Sequence, residues 1–360
     1  INAPYDRDSP FNSDIPYDIE QKALFGEASY EFGRLTATAG LRYYDFSEVR
    51  DIRFGGIFAD ATNRVGETTS SDGFSPRVIL TYEASDNITF NVQASKGFRL
   101  GGVNDPLNLP LCTPEDRAIF EPFEGAFGDE TLWNYEAGVK SQFRGITFNA
   151  AAYYTDISNL QVTLDAGSCS SRIVFNVPEA HTMGLEFELG ASPIDGLDLS
   201  VAGSWVEAEF DSSLTGLETT TGIREGNRLP SVREFQIAAS AFYSFPIDEA
   251  AGTEAFFGAT FQHVGSRYTQ PSDQENNPRG FVHDLAPFIP AGSVTTVDLK
   301  LPGYELFNLS AGVDFDNGFG LTAYVNNVFD ENALLSFDRE RGGRARLLHK
   351  HREALRHVEH

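Results

Sequence analysis

The most constraining feature of this chain is a two-residue rhythm, clearest over residues 304–329. Phe307, Leu309, Ala311, Val313 and Phe315 alternate with Asn308, Ser310, Gly312 and Asp314. Asp316-Asn317-Gly318 follows, and then Phe319, Leu321, Ala323 and Val325 alternate with Gly320, Thr322, Tyr324 and Asn326. Side chains on a strand point to opposite faces in turn, so each run has one apolar and one polar face. The central Asn-Gly predicts positive-φ residues in a tight hairpin turn.

The same unit recurs along the chain. Ile88, Phe90, Val92 and Ala94 alternate with Thr89, Asn91, Gln93 and Ser95, and comparable runs predict about twelve strands in six hairpins. Short turns are expected at Gly33, Ala84-Ser85-Asp86, Arg144-Gly145, residues 193–196, residues 246–253 and Asn317-Gly318. Long loops are expected over residues 50–72, 97–131, 158–180, 211–230 and 267–303, the third carrying a small hairpin from 162–164 and 173–175. In a meander, successive connections fall at opposite ends, so short turns gather at one end and long loops at the other. Outer-membrane β-barrels have this asymmetry.

The 360 residues are 41% apolar, yet no run of about 18 consecutive apolar residues exists, which excludes helical membrane spans. A barrel hides its apolar band in alternation and escapes that test. About twelve meander strands cannot cover their own apolar face in a sandwich without Greek-key crossings, whereas lipid covers it directly. The expected fold is therefore all-β: an antiparallel up-and-down transmembrane β-barrel of about twelve meander strands, either part of a larger barrel or closed as a smaller one. Tyr30, Tyr43, Tyr82, Tyr154, Trp205, Tyr243 and Phe329 lie near strand ends and suit interfacial girdles, though they would also pack the edge of a soluble core. The polar face carries Glu136, Lys140, Glu186, Glu188, Asp198 and Gln236.

A net charge of −25 removes the basic stripe that a nucleic-acid partner needs. The opening Ile1-Asn2-Ala3-Pro4 is not a signal peptide, so either one was removed or the chain is a piece of something longer. Cys112 and Cys169 lie between strand runs without metal spacing; they form either a disulfide or two loop thiols. No nucleophile motif is present, and Gly101-Gly102 lacks the Lys-Ser/Thr of a phosphate loop, so no enzyme, cofactor or metal is expected. Glu121, Glu124, Asp129 and Glu130 have oxygens suited to a hard cation but not calcium-loop spacing, and a solvated loop is the expectation.

Four segments, in order and on the expected elements, resemble TonB-dependent outer-membrane receptors. They are Ala94-Ser95-Lys96-Gly97-Phe98-Arg99-Leu100-Gly101-Gly102-Val103-Asn104; Glu130-Thr131-Leu132 with Tyr135-Glu136-Ala137-Gly138-Val139-Lys140; His181-Thr182-Met183-Gly184-Leu185-Glu186; and Val325-Asn326-Asn327-Val328-Phe329-Asp330. The resemblance covers residues 23–338 and implies about the second half of a plugged barrel of about 22 strands. It implies a Gram-negative outer-membrane location, lipid around the wall, and an extracellular small ligand such as a ferric siderophore. It also implies a TonB complex acting only through a plug, which these residues do not show. Ligand contacts are then expected at the long-loop end from Arg99, Asn104, Trp133, Arg267 and Tyr268, with Trp133 and Tyr268 serving equally well as interface anchors.

The domain division expected is a receptor-like barrel segment over 1–338 and an atypical basic tail over 339–360. The tail holds four of the seven His with a cluster of Arg. Leu347, Leu348, Leu355 and Val358 fit helical spacing, so a helical or disordered tail is expected. Two other functions fit the pattern: a small porin-like diffusion channel and a soluble carbohydrate-binding β-protein.

Overall fold

The computed structural model describes residues 11–56, 63–169, 171–248, 251–283, 290–340 and 344–349. Twelve long strands form one antiparallel sheet in chain order. They are β1 (Tyr17–Phe32), β2 (Leu35–Gly55), β3 (Asn63–Ser85), β4 (Ile88–Arg99), β5 (Glu130–Phe143) and β6 (Ile146–Asp165). β7 (Arg172–Ile194), β8 (Leu197–Phe210), β9 (Phe235–Asp248), β10 (Thr253–Val264), β11 (Tyr304–Asp314) and β12 (Gly320–Val325) complete it. Asn12–Asp14 pairs with the far end of β2 and prolongs the β1 edge. This is the expected up-and-down meander. Among the described residues β1 and β12 do not pair with each other, so the sheet is an open stretch of barrel wall and not a closed twelve-strand barrel.

The short turns are where small or positive-φ residues permit them. β5 and β6 join through Arg144 (φ 35°) and Gly145 (φ 84°), the two left-handed residues of a two-residue hairpin. The β11–β12 turn differs from the expected one. Gly318 has φ 82° but Asn317 is not left-handed. Gly318 N donates to Phe315 O and Phe315 N to Phe319 O, at 3.0 and 2.9 Å. This is a three-residue loop with its glycine in the bulge position, a form whose sense of twist also suits antiparallel strands.

Register divides the side chains into rows. Tyr30, Ala37, Leu80, Val92, Ala137, Ala152, Leu185, Trp205 and Phe235 are successive cross-strand partners on one face. Asn91, Gly138, Ala151, Glu186, Ser204 and Gln236 form a row on the other. The second face lines one continuous recess from β4 to β10, so the sheet curls toward its polar side. The apolar side is convex and uncovered: Leu80, Val92 and Leu185 are 44%, 54% and 56% exposed. No second sheet stacks on it among the described residues. Burial on that scale is worth about 25 cal/mol per Å², so a covering medium is required, and lipid meets that need without a second protein layer.

Strands run further at the long-loop end than the sequence suggests. Of the residues expected as a loop over 50–72, 50–55 and 63–72 are strand: Arg50 pairs with Glu67 and Arg53 with Asn63. The small hairpin expected from 162–164 and 173–175 is present, with Val162 opposite Phe175 and Leu164 opposite Ile173, and it is continuous with β6 and β7 through Ser158 opposite Glu179. A ladder needs only backbone groups, so beyond the apolar band the strands continue with no two-residue pattern to mark them. The loop over 265–303 carries two small ladders, Arg267–Tyr268 with Lys300–Leu301 and Arg279–His283 with Ser293–Val297.

The main buried apolar cluster lies at this end and not within the barrel wall. Leu107 and Phe120 from the β4–β5 loop meet Val162, Leu164, Ile173 and Phe175 of the β6–β7 hairpin, with Phe210 and Ile223 behind. The tail also differs from expectation. Leu334–Glu340 pairs antiparallel with Arg344–His349 in a ladder separate from the main sheet, straddling residue 338. A neighbouring strand satisfies backbone groups whatever the side-chain spacing, which overrides the helical period of Leu347 and Leu348. Residues 350–360 lie outside the described residues.

Opposite-face substitutions on β4 test the division of faces. Val92→Arg is expected to cost about 2–4 kcal/mol of unfolding free energy in lipid vesicles, while Gln93→Arg, beside Glu136, costs under about 1 kcal/mol. Denaturant unfolding followed by Trp fluorescence measures both, and equal costs would contradict the assignment.

Candidate functional site

The concave face holds a recess of about 590 Å³. Its polar lining includes Asn91, Glu136, Lys140, Asn149, Glu186, Glu188, Gln236 and Gln262, and Gly138, Ala151, Ala202 and Ala238 give it depth. Gln93 donates to Glu136 at 3.0 Å and Asn149 to Glu188 at 3.2 Å, which fixes two carboxylates against the wall. Lys140 is the one ammonium among these residues and forms no described ion pair. A surface like this can hold polar or charged groups by hydrogen bonding. Among the described residues, no group of three His, Cys, Asp or Glu is gathered for a metal.

Above the recess the Ala94–Asn104 stretch is a brace. Arg99 shares the inward face of Gln93 and donates to Glu130 at 2.7 Å and to Gln161 O at 2.6 Å. Gln161 Nε2 in turn donates to Leu100 O and Gly128 O, at 2.9 and 3.1 Å. Gly101 and Gly102 are needed for close approach: a Cβ on Gly101 would sit 2.4 Å from Phe127 O, and one on Gly102 2.8 Å from the Phe127 ring. Gly101 N donates to Asp129 Oδ1 at 2.7 Å.

Asn104 ends the stretch, 4% exposed. Its amide nitrogen donates to Phe123 O (3.1 Å) and Val174 O (2.6 Å), and its oxygen accepts from Val174 N (2.8 Å). All of its capacity but one acceptor position is used inside the loop, so it pins the β4–β5 loop to the β6–β7 hairpin.

Cys112 and Cys169 are joined as a disulfide across the same two segments. Beside it, helix α1 (Pro114–Phe120) is capped by Thr113, whose side chain accepts from Asp116 N. Asp116 accepts from Ser168 N at 2.8 Å and from Ser168 Oγ at 2.5 Å. The carboxylates weighed for a hard cation are used elsewhere. Glu121 pairs with Arg117, Glu124 with Arg64, Asp129 with Ser71 and Gly101, and Glu130 with Arg99.

The next two loops interlock. Glu275 accepts two bonds from Arg224, both 2.9 Å, and one from Asn227 at 2.8 Å. Gln274 bonds both backbone groups of Arg228, at 3.0 and 2.8 Å. Gly222 lies so close to Pro271 that a Cβ there would be 2.0 Å from its carbonyl carbon. The Arg224 guanidinium holds the Glu275 carboxyl below the usual carboxylate range, with Asn227 adding to the effect.

Trp133 occupies the convex face with Tyr135, their rings 6.2 Å apart, and so stands off the recess. Arg267 is buried and Tyr268 half-buried in the β10–β11 loop, with Lys300 5.7 Å from the Tyr268 ring centroid. The five sequence candidates therefore do not converge: Arg99 alone shares the face of the recess. The recess residues missed as a set were visible as the polar face of alternating strands, and Asn91, Asn149 and Gln262 belong to the same pattern.

Comparison with known proteins follows the same architecture. The family profile for TonB dependent receptor-like beta-barrels matches residues 1–328. The metal-pseudopaline receptor of Pseudomonas aeruginosa (strain UCBPP-PA14) is 26% identical over 277 residues, covering 76% of this chain and 31% of the relative. The chain thus spans about a third of the length of that curated relative. Among solved structures, the ferric yersiniabactin uptake receptor FyuA from Yersinia pestis superposes with a TM-score of 0.72 at 16% identity, over 95% of this chain and 45% of that one. The siderophore receptor PiuA from Acinetobacter baumannii gives 0.60 at 15% identity, over 93% and 42%. These similar proteins are transport receptors, not enzymes.

Two outcomes are expected at the loop end. Asn104→Ala leaves Val174 N–H and two carbonyls buried without partners, so it should cost about 1–3 kcal/mol and speed hydrogen exchange at the Val174 amide; unchanged exchange would contradict the bracing role. The folded Glu275 pKa is depressed, so its contribution is present above the unfolded carboxylate value and is lost as pH falls through the lowered one. Exchange at the Arg228 amide should therefore lose protection on acidification. Glu275→Gln should show the reduced protection already at neutral pH, with a flat response below it.

Proposed function

The chain belongs to the TonB-dependent receptor family, and on that premise we propose that it forms wall and extracellular rim of an outer-membrane receptor taking up a scarce metal chelate. The observation that carries the reading is the division of the sheet: an apolar convex side suited to lipid, and a polar recess suited to a passing or plugging hydrophilic surface. The names of the similar proteins, a metal-pseudopaline receptor and a ferric yersiniabactin receptor, favour a metal bound to a small organic chelator. A ferric siderophore is the ligand class we favour.

In this reading the outer membrane of a Gram-negative bacterium is the location. Lipid surrounds the wall, and energy reaches the full-length receptor from the TonB complex. The chemistry of this segment is passive. Glu136, Glu186, Glu188 and Lys140 present fixed charge to the passage, and Arg99 stands above them on the same face. The braced loops keep that rim in one shape, which lowers the ordering cost of binding. The β1 and β12 edges, unpaired among the described residues, fit a wall completed by further strands better than a self-contained pore.

The test is uptake by the full-length receptor that carries this segment, in a metal-starved Gram-negative host. Uptake of a radiolabelled ferric siderophore should require both the receptor and TonB. Replacing Glu136, Glu186 and Glu188 together with Gln should change the uptake rate by about tenfold, equivalent to about 1.4 kcal/mol of contact, without altering heat-modifiable migration. TonB-independent uptake, or ion conductance by the 360-residue chain alone, would replace the receptor reading with a diffusion channel.

A further inference from the structure

A pair of arginines at the long-loop end is not used by the recess. Arg267 follows β10 and is 6% exposed. It lies opposite Leu301, which packs with Leu299 and Phe337 in a small apolar cluster. Its Nη2 donates to Leu335 O at 2.5 Å, but its Nη1 is buried without a hydrogen-bond partner. Arg233 precedes β9, is half-buried, and its Nε is likewise buried without a partner. Ser231 N donates to Tyr268 O at 2.7 Å and ties the two segments together. Among the described residues neither arginine enters a salt bridge.

Two guanidinium ions brought together away from water cost free energy through desolvation and through mutual repulsion. Burial first, and Arg233 second, depress the Arg267 pKa, but arginine stays protonated in proteins. The remaining way to offset the cost is an anion. Guanidinium N–H groups match the spacing of oxyanion oxygens, and two cations approaching from two segments match a group with several oxygens and more than one negative charge.

We propose that Arg233 and Arg267 hold a phosphate-type oxyanion through Arg233 Nε and Arg267 Nη1. Arg233 is the less buried of the two side chains. It adjoins Phe235, which is 42% exposed at the start of β9 in the convex row with Trp205. Aromatic residues at strand ends mark the headgroup level of a membrane, so the anion is either a lipid phosphate monoester or a free phosphate. This site is separate from the recess and does not depend on which chelate is transported.

Titration calorimetry of inorganic phosphate into the detergent-solubilised full-length receptor that carries this segment, at constant ionic strength, should show one saturable site. Arg233→Gln and Arg267→Gln should each weaken it about tenfold or more. Arg117→Gln, which removes an exposed arginine paired on its own helix, should leave it unchanged. Heat-modifiable migration reports folding of each variant, and if Arg267→Gln fails to fold, the half-buried Arg233→Gln decides. No saturable site, or equal weakening by Arg117→Gln and Arg233→Gln, overturns the proposal. Vesicles separate the two sources. Weaker phosphate binding in phosphatidic acid than in phosphatidylcholine vesicles, with the difference abolished by Arg233→Gln, supports the site with a lipid occupant. Equal binding in both supports it with a free oxyanion.

Discussion

Within hydrocarbon, every peptide N–H and C=O must find a partner in the protein, because no water is there to serve. The continuous ladder from β1 to β12 meets that demand everywhere except at its two edges. Once the backbone is satisfied in this way, side chains are left only two directions. Apolar ones fall on the convex side and polar ones on the concave side, and the recess exists because consecutive strands keep that register. Fold and recess are thus consequences of one requirement.

Beyond the apolar band water returns, and a different kind of stability takes over. The long-loop end has the buried core that the barrel wall lacks, with Phe210, Ile173 and Leu107 almost fully covered. Polar clasps surround it: Asn104 across to Val174, Arg99 with Glu130 and Gln161, and Arg224 with Glu275. The disulfide between Cys112 and Cys169 ties the β4–β5 loop to the tip of the β6–β7 hairpin. A rim held by core, clasps and a covalent bond is preorganised, which suits recognition of a dilute ligand.

Much of the wall was legible in the sequence because period-two patterning reports facing directly. Glu136, Lys140, Glu186, Glu188 and Gln236, picked out as the polar face, all line the recess, while Asp198 sits apart, bonded to Ser192 near a turn. The strand extensions over residues 50–55 and 63–72 were not legible, since a ladder in water needs no apolar alternation. Arg99 and Asn104 were legible as a motif but not as a brace. Their partners, Gln161 and Val174, lie 62 and 70 residues away and carry no local signal. Trp133 illustrates the limit at single residues: the role of an aromatic at a strand end depends on its face, and its register with Lys96 places it on the convex side.

The central claim is that the convex face meets lipid and the concave face meets water. Single cysteines placed in turn from Thr89 to Ser95, each carrying an environment-sensitive fluorophore, test it in reconstituted vesicles. Lipid-borne quencher should act on positions 90, 92 and 94, and water-soluble quencher on 89, 91, 93 and 95. Water-soluble quenching of every position, or protection of 90, 92 and 94 from both quenchers, would contradict the account.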